Sequence, residues 1–301
     1  MACTDLFGTL RCRITFMMGN GSARFTMTAV SEGPGLWLIG LGPGDLKHMT
    51  AFAMEAAISC DKRYLEGYTA ILPQHQEDAL KGLVGEWERA MRDIIENPEG
   101  IIEQARNSRV AIMVVGDPMQ ATTHIDLKIR CDLEGIPFHV VPGISATSLA
   151  VSLSGLQSYR FGRQVTIPFP YGDYLPTSPL EMIMRNYSNG LHTLVLLDLD
   201  PTGMGIDPPV PMLPSQARDI LEAMFERLEE RGGDREWSIP FSLSEWNTIL
   251  LSDIGTINQR VVSGSLSDIS KISGGRIHCL ILPTLFSGME LEAFEHHKAD
   301  M

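Results

Sequence analysis

Three short turns, rich in glycine and proline, carry the residues best suited to ligand binding. They span residues 42–45 (GPGD), 116–118 (GDP) and 141–144 (VPGI), and each follows a short apolar run typical of a buried strand. In the second turn, the Asp117 carboxylate can accept hydrogen bonds from a ligand amine or hydroxyl. It can equally cap the helix that follows, and residue spacing alone leaves both roles open.

The first turn does not match the pattern of a dinucleotide-binding loop. The motif G-x-G-x-x-G, begun at Gly40, requires a glycine where the chain has Asp45. Pro43 also lacks an amide hydrogen, which weakens the anion site that a helix start would otherwise form. No Gly-Lys-Ser or Gly-Lys-Thr occurs in the sequence, so a P-loop is excluded. A ligand-binding turn and a plain strand-to-helix turn both remain open for this segment.

The elements around these turns are predicted to bring them to one edge of a sheet. Apolar runs predict strands at residues 36–42, 109–115 and 136–143. Helical spacing predicts helices over residues 46–60 (capped by Asp45 or Thr50), 80–95, 122–134 and 144–153. Alternating strands and helices indicate crossover connections and a mostly parallel sheet. Because ligands bind beyond the carboxyl ends of such strands, we expect the three turns to converge on one crevice.

The second half of the chain predicts another group of elements. Strands are expected at residues 165–169, 194–199, 248–252 and 276–282, and a helix at 215–231. The pattern loosens around residues 155–162, so we predict two α/β domains, residues 35–160 and 161–301. Residues 1–34 show no period, and we expect them to be a disordered or wrongly assigned extension.

Composition narrows the classes of function. The formal net charge is −13, which disfavours binding to the phosphates of nucleic acids. The five cysteines are scattered without a C-x-x-C pair, and the eight histidines show no metal-ligand spacing, so neither disulfides nor a metal site are predicted. No apolar stretch is long enough to span a bilayer. We therefore expect a cytoplasmic protein without a membrane or nucleic-acid partner.

The order GLGPGD, GDP and VPGIS resembles the tetrapyrrole methylase superfamily. The resemblance implies a fold of two α/β domains, with a mostly parallel sheet in the first and a mixed sheet in the second. It also implies S-adenosylmethionine as cofactor, bound in the cleft between the domains. Within the superfamily, five longer segments are similar to the diphthine synthase family: residues 116–130, 154–170, 174–179, 190–200 and 276–283. The similarity covers about residues 36–294.

The resemblance implies a set of cofactor contacts drawn from both halves of the chain, several of them made through the backbone. They are Pro43, Asp117, Gln120, Gly143, Ile144, Leu197, Ile254 and His278. Pro43 and Gly143 match the wider superfamily better than a typical diphthine synthase. Residues 252–255 (SDIG) and Thr284 also depart from that family's pattern, which expects an Ala-Arg-containing segment and a glycine.

The resemblance further implies methylation of a modified histidine on translation elongation factor 2, and a homodimeric enzyme. The histidine already carries a 3-amino-3-carboxypropyl group, and methylation of its amine gives diphthine; some family members also esterify the carboxylate. Two alternatives are a methylase of a corrin or tetrapyrrole precursor, and a subunit that senses S-adenosylmethionine without catalysis. Residues 171–179 (YGDYLPTSP), rich in turn formers and aromatics, are a candidate rim loop for the protein substrate, or a plain connection.

Two histidines are candidates for a catalytic base. His124 lies at a predicted helix start and His192 at a predicted strand start, where either can instead have a structural role. A sulfonium methyl group is already activated, so holding the amine in line supplies much of the catalysis. Partial desolvation favours the neutral amine. No base is required by this chemistry, and none is assigned.

Overall fold

Five parallel strands form the first sheet, in the order β3-β2-β4-β1-β5. In the computed structural model, which describes residues 33–203, 206–232 and 239–298, these strands occupy the first half of the fold. They are β1 (Gly35–Gly40), β2 (Lys62–Glu66), β3 (Glu88–Ala90), β4 (Arg109–Val114) and β5 (Phe138–Val141). The mostly parallel first sheet predicted from the sequence is confirmed.

Helices cover both faces of this sheet. They are α1 (Ala51–Ser59), α2 (Gln74–Val84), α3 (Arg92–Glu96), α4 (Glu99–Ala105) and α5 (Ile125–Leu133). Leu36 and Leu38 of β1 share one core with residues of α4 and α5, while α1 packs on the sheet with three small buried alanines. Each fully buried leucine of this kind contributes about 1.5–3 kcal/mol to folding.

The second sheet is mixed, in the order β6-β7-β10-β8-β9. Its strands are β6 (Val165–Ile167), β7 (Thr193–Leu197), β8 (Asn247–Ser252), β9 (Arg260–Ser265) and β10 (His278–Leu282). Only β6 and β7 pair in parallel; the other pairings are antiparallel. The four strands predicted here from the sequence are confirmed within two residues at their starts and ends, and β9 was not predicted.

Helices also pack on both faces of the second sheet. They are α6 (Ala146–Leu153), α7 (Ser178–Ser188), α8 (Pro214–Arg231), α9 (Leu266–Ile269) and α10 (Gly288–His296). One face packs against α7 and α8 around Trp246, and the other packs against Ala150 of α6 and Phe294 of α10. The helix that starts beyond the third turn therefore contributes to the core of the second sheet. The domain boundary after residue 160 stays a prediction.

One predicted helix is wrong. The spacing of apolar residues predicted a single helix over residues 80–95, but α2 ends at Val84 and the chain turns at Gly85, whose φ is +89°. Glu88–Ala90 then pairs with β2 as a strand, and α3 begins at Arg92. A glycine with positive φ ends a helix at little cost, and this effect outweighs the apolar period on either side.

The remaining predicted helices are confirmed with shifted ends. Residues 46–60 form a 3-10 turn, Leu46–His48, followed by α1, and both predicted caps occur, at Asp45 and Thr50. The helix expected from residue 122 begins at Ile125, after Ala121 adopts a φ of +55°. The predicted extension, residues 1–34, lies almost wholly outside the described residues.

Two features are absent from the described residues. No helix among them is long and apolar enough to cross a bilayer. Within the same ranges, no group of three or more His, Cys, Asp or Glu side chains is arranged to hold a metal ion. Cys60, Cys131 and Cys279 are buried free thiols, and burial raises the pKa of each.

Candidate functional site

A crevice is expected between the carboxyl ends of β1 and β4. These neighbours are parallel, and their onward connections leave in opposite directions. The chain passes from β1 through α1 to β2, on the far side of β4, and from β4 through α5 to β5, on the far side of β1. In open α/β sheets, ligands bind beyond the carboxyl ends of the strands where the direction of the connections reverses in this way.

Backbone hydrogen bonds join the first and second turns at this point. The Gly116 amide donates to the Gly42 carbonyl at 2.9 Å, and the Gly42 amide donates back to the Gly116 carbonyl at 3.2 Å. The Leu41 amide donates to the Val114 carbonyl at 2.8 Å. An antiparallel bridge thus follows the ends of the parallel strands β1 and β4 and fixes the two turns relative to each other.

Asp117 links the second turn to the third. Its Oδ1 accepts a hydrogen bond from the Met119 amide at 2.9 Å, and its Oδ2 accepts one from the Gly143 amide at 3.1 Å. Shaping the turn is therefore an established role of this carboxylate. Each oxygen retains a second lone pair, so ligand binding by Asp117 stays open beside that role.

Three backbones meet where only glycine fits. A Cβ atom on Gly143 would lie 2.2 Å from the Gly116 carbonyl oxygen, and one on Gly40 would lie 2.5 Å from the Gly143 nitrogen. Neither contact can be relieved by moving a flexible side chain, because both partners are backbone atoms. The predicted convergence of the three turns is confirmed.

A loop of the second sheet lies against the first turn. A Cβ on Gly255 would lie 2.0 Å from the Pro43 carbonyl oxygen, and one on Gly44 would lie 3.3 Å from the Ile254 carbonyl oxygen. Residues 254 and 255 therefore border the crevice from the side of the second sheet. The contact was not predictable from spacing, since about 210 residues separate the two segments.

Leu197 and His278 lie on adjacent strands, at the end of β7 and the start of β10. Leu196 pairs with Cys279, and His278 pairs with Ser252 at the end of β8. The Ser252 hydroxyl and His278 Nδ1 form a hydrogen bond of 2.8 Å. This bond links His278 to the loop that begins at Ser252, and Gly255 of that loop lies against Pro43.

His278 is a buried, neutral imidazole. Burial lowers its pKa, and the charge of Arg260 adds to that effect against the opposing charge of Asp253. Its Nε2 is buried without a hydrogen-bond partner in the described part of the chain. Asp253, which sequence reasoning missed, accepts the amides of Arg276 and Ile277 at 2.9–3.1 Å and so fixes the approach to β10. The departures at Ser252 and Asp253 thus have local structural roles.

The other predicted contacts are more exposed. Ile144 is 43% exposed beside Gly143, and Gln120 is exposed, its amide donating to the Asp117 carbonyl at 3.3 Å. Pro43, Asp117, Gly143 and Ile254 are brought together by the contacts described above. Whether each of the eight predicted residues contacts a ligand stays a prediction.

His192 has a structural role. Its Nδ1 accepts a hydrogen bond from the Thr284 amide at 3.2 Å, so its Nε2–H donates to Glu290, 3.0 Å away. Burial lowers the pKa of His192, which keeps the ring neutral. Both ring nitrogens are used and the side chain is fully buried, which excludes His192 as a base that substrate can reach.

His124 stabilises the second turn through a buried hydrogen bond. Its Nδ1–H donates to the Pro118 carbonyl at 2.8 Å, and burial lowers its pKa, so the ring is neutral with a free lone pair on Nε2. The ring helps line a cavity of about 220 Å³, together with Ile95, Glu96, Thr123, Asp126 and Leu127. The hydrogen bond to Pro118 confirms a local structural role.

The segment after β7 reaches the first sheet. Arg92, the first residue of α3 just after β3, donates to the Gly203 carbonyl at 3.3 Å and lies 4.0 Å from Asp200. The Tyr171 ring packs on Gly203 and stacks with Tyr174 at 4.6 Å between centroids. Both tyrosines are nearly half exposed. Part of the predicted rim loop therefore stands beside the carboxyl edge of the first sheet.

The chain matches the family model for Tetrapyrrole (Corrin/Porphyrin) Methylases over residues 35–270, and it belongs to this family of methyltransferases. Within that family it is similar to diphthine synthases. The diphthine methyl ester synthase of Mus musculus is 35% identical over 82% of this chain and 90% of its own length. The diphthine synthase of Methanoregula boonei is 32% identical over 85% of this chain and 96% of its own length.

Solved structures agree with this assignment. A candidate diphthine synthase from Entamoeba histolytica superposes with a TM-score of 0.76 at 32% identity, over 89% of this chain and all of that one. Another structure, titled diphthine synthase, gives a TM-score of 0.73 at 26% identity, over 87% and 95% of the two chains. The predicted family and fold class are confirmed.

Proposed function

We propose that the chain binds S-adenosylmethionine in the crevice above β1 and β4 and transfers its methyl group to a modified histidine of translation elongation factor 2. The observation that carries the proposal is the union of three turns through the Gly42–Gly116 and Asp117–Gly143 hydrogen bonds. The names of the relatives supply the reaction class.

The residues of the crevice fit this donor by charge and shape. The eight predicted contacts include one carboxylate, Asp117, and no lysine or arginine, which suits a ligand with a sulfonium and an ammonium group better than a phosphate. Glycines at positions 40 and 143 let the backbones of the three turns pack against one another, which gathers main-chain groups at the crevice. The unpartnered Nε2 of buried His278 is available to a polar group of the ligand.

When bound, the donor supplies a methyl group that is already activated for displacement. The chain's own residues then have to hold the acceptor amine in line and exclude water, which can account for a large share of the rate enhancement. The amine reacts as the neutral base, and desolvation in the crevice favours that form. The neutral His124 ring is an acceptor beside the second turn, but no proton transfer to it is required.

The substrate assignment follows the printed names of the relatives. Diphthine synthase and diphthine methyl ester synthase point to the amine and the carboxylate of the 3-amino-3-carboxypropyl-histidine. Such a side chain stands on a folded protein, so the crevice has to admit a protruding loop. Tyr171 and Tyr174, exposed beside Arg92, are our candidates for contact with that loop. We further propose a cytoplasmic homodimer.

The deciding experiment uses labelled S-adenosylmethionine and an extract of cells that lack this protein. We expect a single labelled protein of the size of elongation factor 2, and mass spectrometry of its modified histidine counts the methyl groups. A Gly143→Val variant is the matched control. Labelling of a tetrapyrrole instead, or donor binding without transfer to any protein, would overturn the proposal in favour of the two alternatives.

A further inference from the structure

A small cavity lies between α3 and the start of α5, next to the second turn. Its volume is about 220 Å³. Six residues line it: Ile95, Glu96, Thr123, His124, Asp126 and Leu127. The volume is below the roughly 300–1,000 Å³ of pockets that hold cofactors and drug-sized ligands. The cavity therefore suits a group of the size of one side chain.

The inner wall of this cavity is buried, and its mouth is acidic. Ile95, His124 and Leu127 are only 1–4% exposed. The side chains of Glu96 and Asp126 are 53% and 55% exposed, so they lie at the mouth. A group that enters the cavity passes the two carboxylates and reaches two apolar side chains and an imidazole.

His124 gives the cavity a hydrogen-bond acceptor. A carbonyl can only accept, so Nδ1 carries the hydrogen in the 2.8 Å bond to Pro118. Pro118 does not line the cavity, which leaves the opposite edge of the ring, with Nε2, to face it. Nε2 is buried without a hydrogen-bond partner among the residues that the structure describes. A buried acceptor without a partner is costly, so a ligand that donates to Nε2 gains affinity.

The charges around the cavity favour a cationic donor. Arg130 is shared by Asp126 at 2.7 Å and Glu99 at 3.1 Å. Glu96 lies 3.6 Å from Arg92. Three carboxylates thus face two guanidinium groups, and none of the six lining residues is a lysine or an arginine. An ammonium group is therefore attracted more strongly than an alcohol or a water molecule.

Arg92 connects this cavity to the candidate rim loop. It donates to the Gly203 carbonyl, and Tyr171 of the rim loop packs on Gly203. One helical turn after Arg92, Glu96 lines the cavity. A protein that contacts Tyr171 can therefore also place a side chain in the cavity.

We propose that this cavity binds a lysine side chain of the methylated protein, whose ammonium group donates to His124 Nε2 near Glu96 and Asp126. The methylene stem of the lysine contacts Ile95 and Leu127. A single acceptor atom suits the compact charge of lysine better than the planar fork of arginine. The cavity anchors the acceptor protein beside the second turn. The identity of the partner rests on the proposed function, whereas the preference for an ammonium group does not.

The first test removes the charges at the mouth. The double variant Glu96→Gln/Asp126→Asn keeps the shape of both side chains. Its matched control, Asp132→Asn/Glu295→Gln, makes the same change in net charge at side chains that are 55% and 50% exposed and each in an ion pair. KM for elongation factor 2 should rise at least about tenfold in the first variant and less than about twofold in the control. The dissociation constant of S-adenosylmethionine should stay unchanged in both. Equal KM values in the two variants would overturn the proposal.

The second test compares n-butylammonium, which has the length and charge of a lysine side chain, with uncharged n-butanol. The amine should raise the Tm of the native chain and of the control variant, because it binds the folded state. It should compete with elongation factor 2 but not with the donor, and n-butanol should have neither effect. The Glu96→Gln/Asp126→Asn variant should show no rise in Tm. Equal effects of the two compounds, or a rise that persists in this variant, would overturn the preference for an ammonium group.

The two measurements also separate the sources of the amine. A rise in Tm with n-butylammonium, together with an unchanged KM in the Glu96→Gln/Asp126→Asn variant, would assign the cavity to a free amine and overturn the lysine. Failure of the native chain to label elongation factor 2 would overturn the proposed function and with it the partner. The Tm measurement judges the cavity alone, so the two failures are distinguishable.

Discussion

The Asp117 carboxylate accepts a hydrogen bond from the Gly143 amide at 3.1 Å, across 26 residues of sequence. This contact fixes the second turn to the third, while the other carboxylate oxygen holds the Met119 amide. One side chain therefore sets the shape of the crevice, whether or not it also contacts a ligand.

Asp117→Ala should weaken donor binding more than it weakens the fold. Loss of two charge-assisted hydrogen bonds at a partly exposed site should cost about 1–3 kcal/mol of unfolding free energy. With the third turn released, we expect the dissociation constant for S-adenosylmethionine to rise at least about tenfold. Calorimetry and urea denaturation measure the two effects. Unchanged donor affinity in Asp117→Ala would contradict the assignment of the crevice.

Gly143→Ala should abolish donor binding through a clash of backbones. The added Cβ would lie 2.2 Å from the Gly116 carbonyl oxygen, so the two turns have to separate. Gly82→Ala in α2 is the control, because no atom lies within 4 Å of its added Cβ and alanine favours helix by about 0.5–1 kcal/mol. Donor binding by Gly143→Ala equal to that of Gly82→Ala would show that the turns need not meet.

The stability of the chain should fall in acid because of Glu290. Burial works to raise the pKa of this carboxyl, but the amides of Ser287 and Gln157 and the His192 ring lower it from 4.5 to about 2. The folded chain thus binds the proton less tightly, so stability from this group is complete above pH 4.5 and is lost as the pH falls toward 2. The loss should be on the order of 3 kcal/mol, since one pKa unit is worth about 1.4 kcal/mol.

His192 should also reduce the stability of the chain as the pH falls, but beginning at a higher pH than Glu290. Burial lowers the pKa of His192 in the folded chain, so the unfolded chain takes up the proton first as the pH falls through 6.5. The free energy of unfolding therefore decreases below that pH. Urea denaturation between pH 7 and pH 3 tests both groups. Glu290→Gln should have a smaller free energy of unfolding than the native chain at pH 7. Below pH 4.5 this free energy should change less with pH. If the free energy of unfolding of Glu290→Gln falls with pH below 4.5 as steeply as that of the native chain, the role of Glu290 is refuted.

Two variants of His124 distinguish its structural role in the second turn from a possible role as proton acceptor. In His124→Asn the side-chain amide can still donate to the Pro118 carbonyl, but no group replaces Nε2. We expect donor affinity to be kept and the methyl-transfer rate to stay within about threefold of the native rate. His124→Phe should lose donor affinity, because the turn is released. A rate loss of about 100-fold or more in His124→Asn, with donor affinity intact, would instead identify a general base.

The sequence predicted the strongly apolar strands better than the strands that carry charged residues. β1 is fully buried, and β4 is buried and apolar after its first residue, Arg109, so their hydrophobic pattern has one interpretation. β2 begins with Lys62 and Arg63, and β3 has three residues that a helical period also accommodates, so neither was predicted. Strands with charged residues, such as β2 and the edge strand β3, depend on pairing with a neighbour, which local sequence does not encode.

The candidate site was also predicted only in part. The three turns were predictable because each directly follows a recognisable strand. The approach of Gly255 to Pro43 depends on how the two sheets face each other. The hydrogen bonds from the amides before β10 to Asp253 depend on the pairing of β8 with β10. No local pattern signals such contacts. Gly255 can be read from the sequence, but the tertiary contact that requires a glycine there cannot.

The exposed tyrosines of residues 171–179 should affect the protein substrate and not the donor. Tyr171 packs on Gly203, whose carbonyl accepts from Arg92, so it stands beside the carboxyl edge of the first sheet. We expect the double variant Tyr171→Ala/Tyr174→Ala to raise KM for elongation factor 2 at least about tenfold, with the dissociation constant of S-adenosylmethionine unchanged. Tyr159→Ala is the matched control, since Tyr159 is 78% exposed and outside residues 171–179. Equal KM values for the double variant and the control would assign the segment a purely connecting role, and a change in donor affinity would place it inside the crevice rather than at its rim.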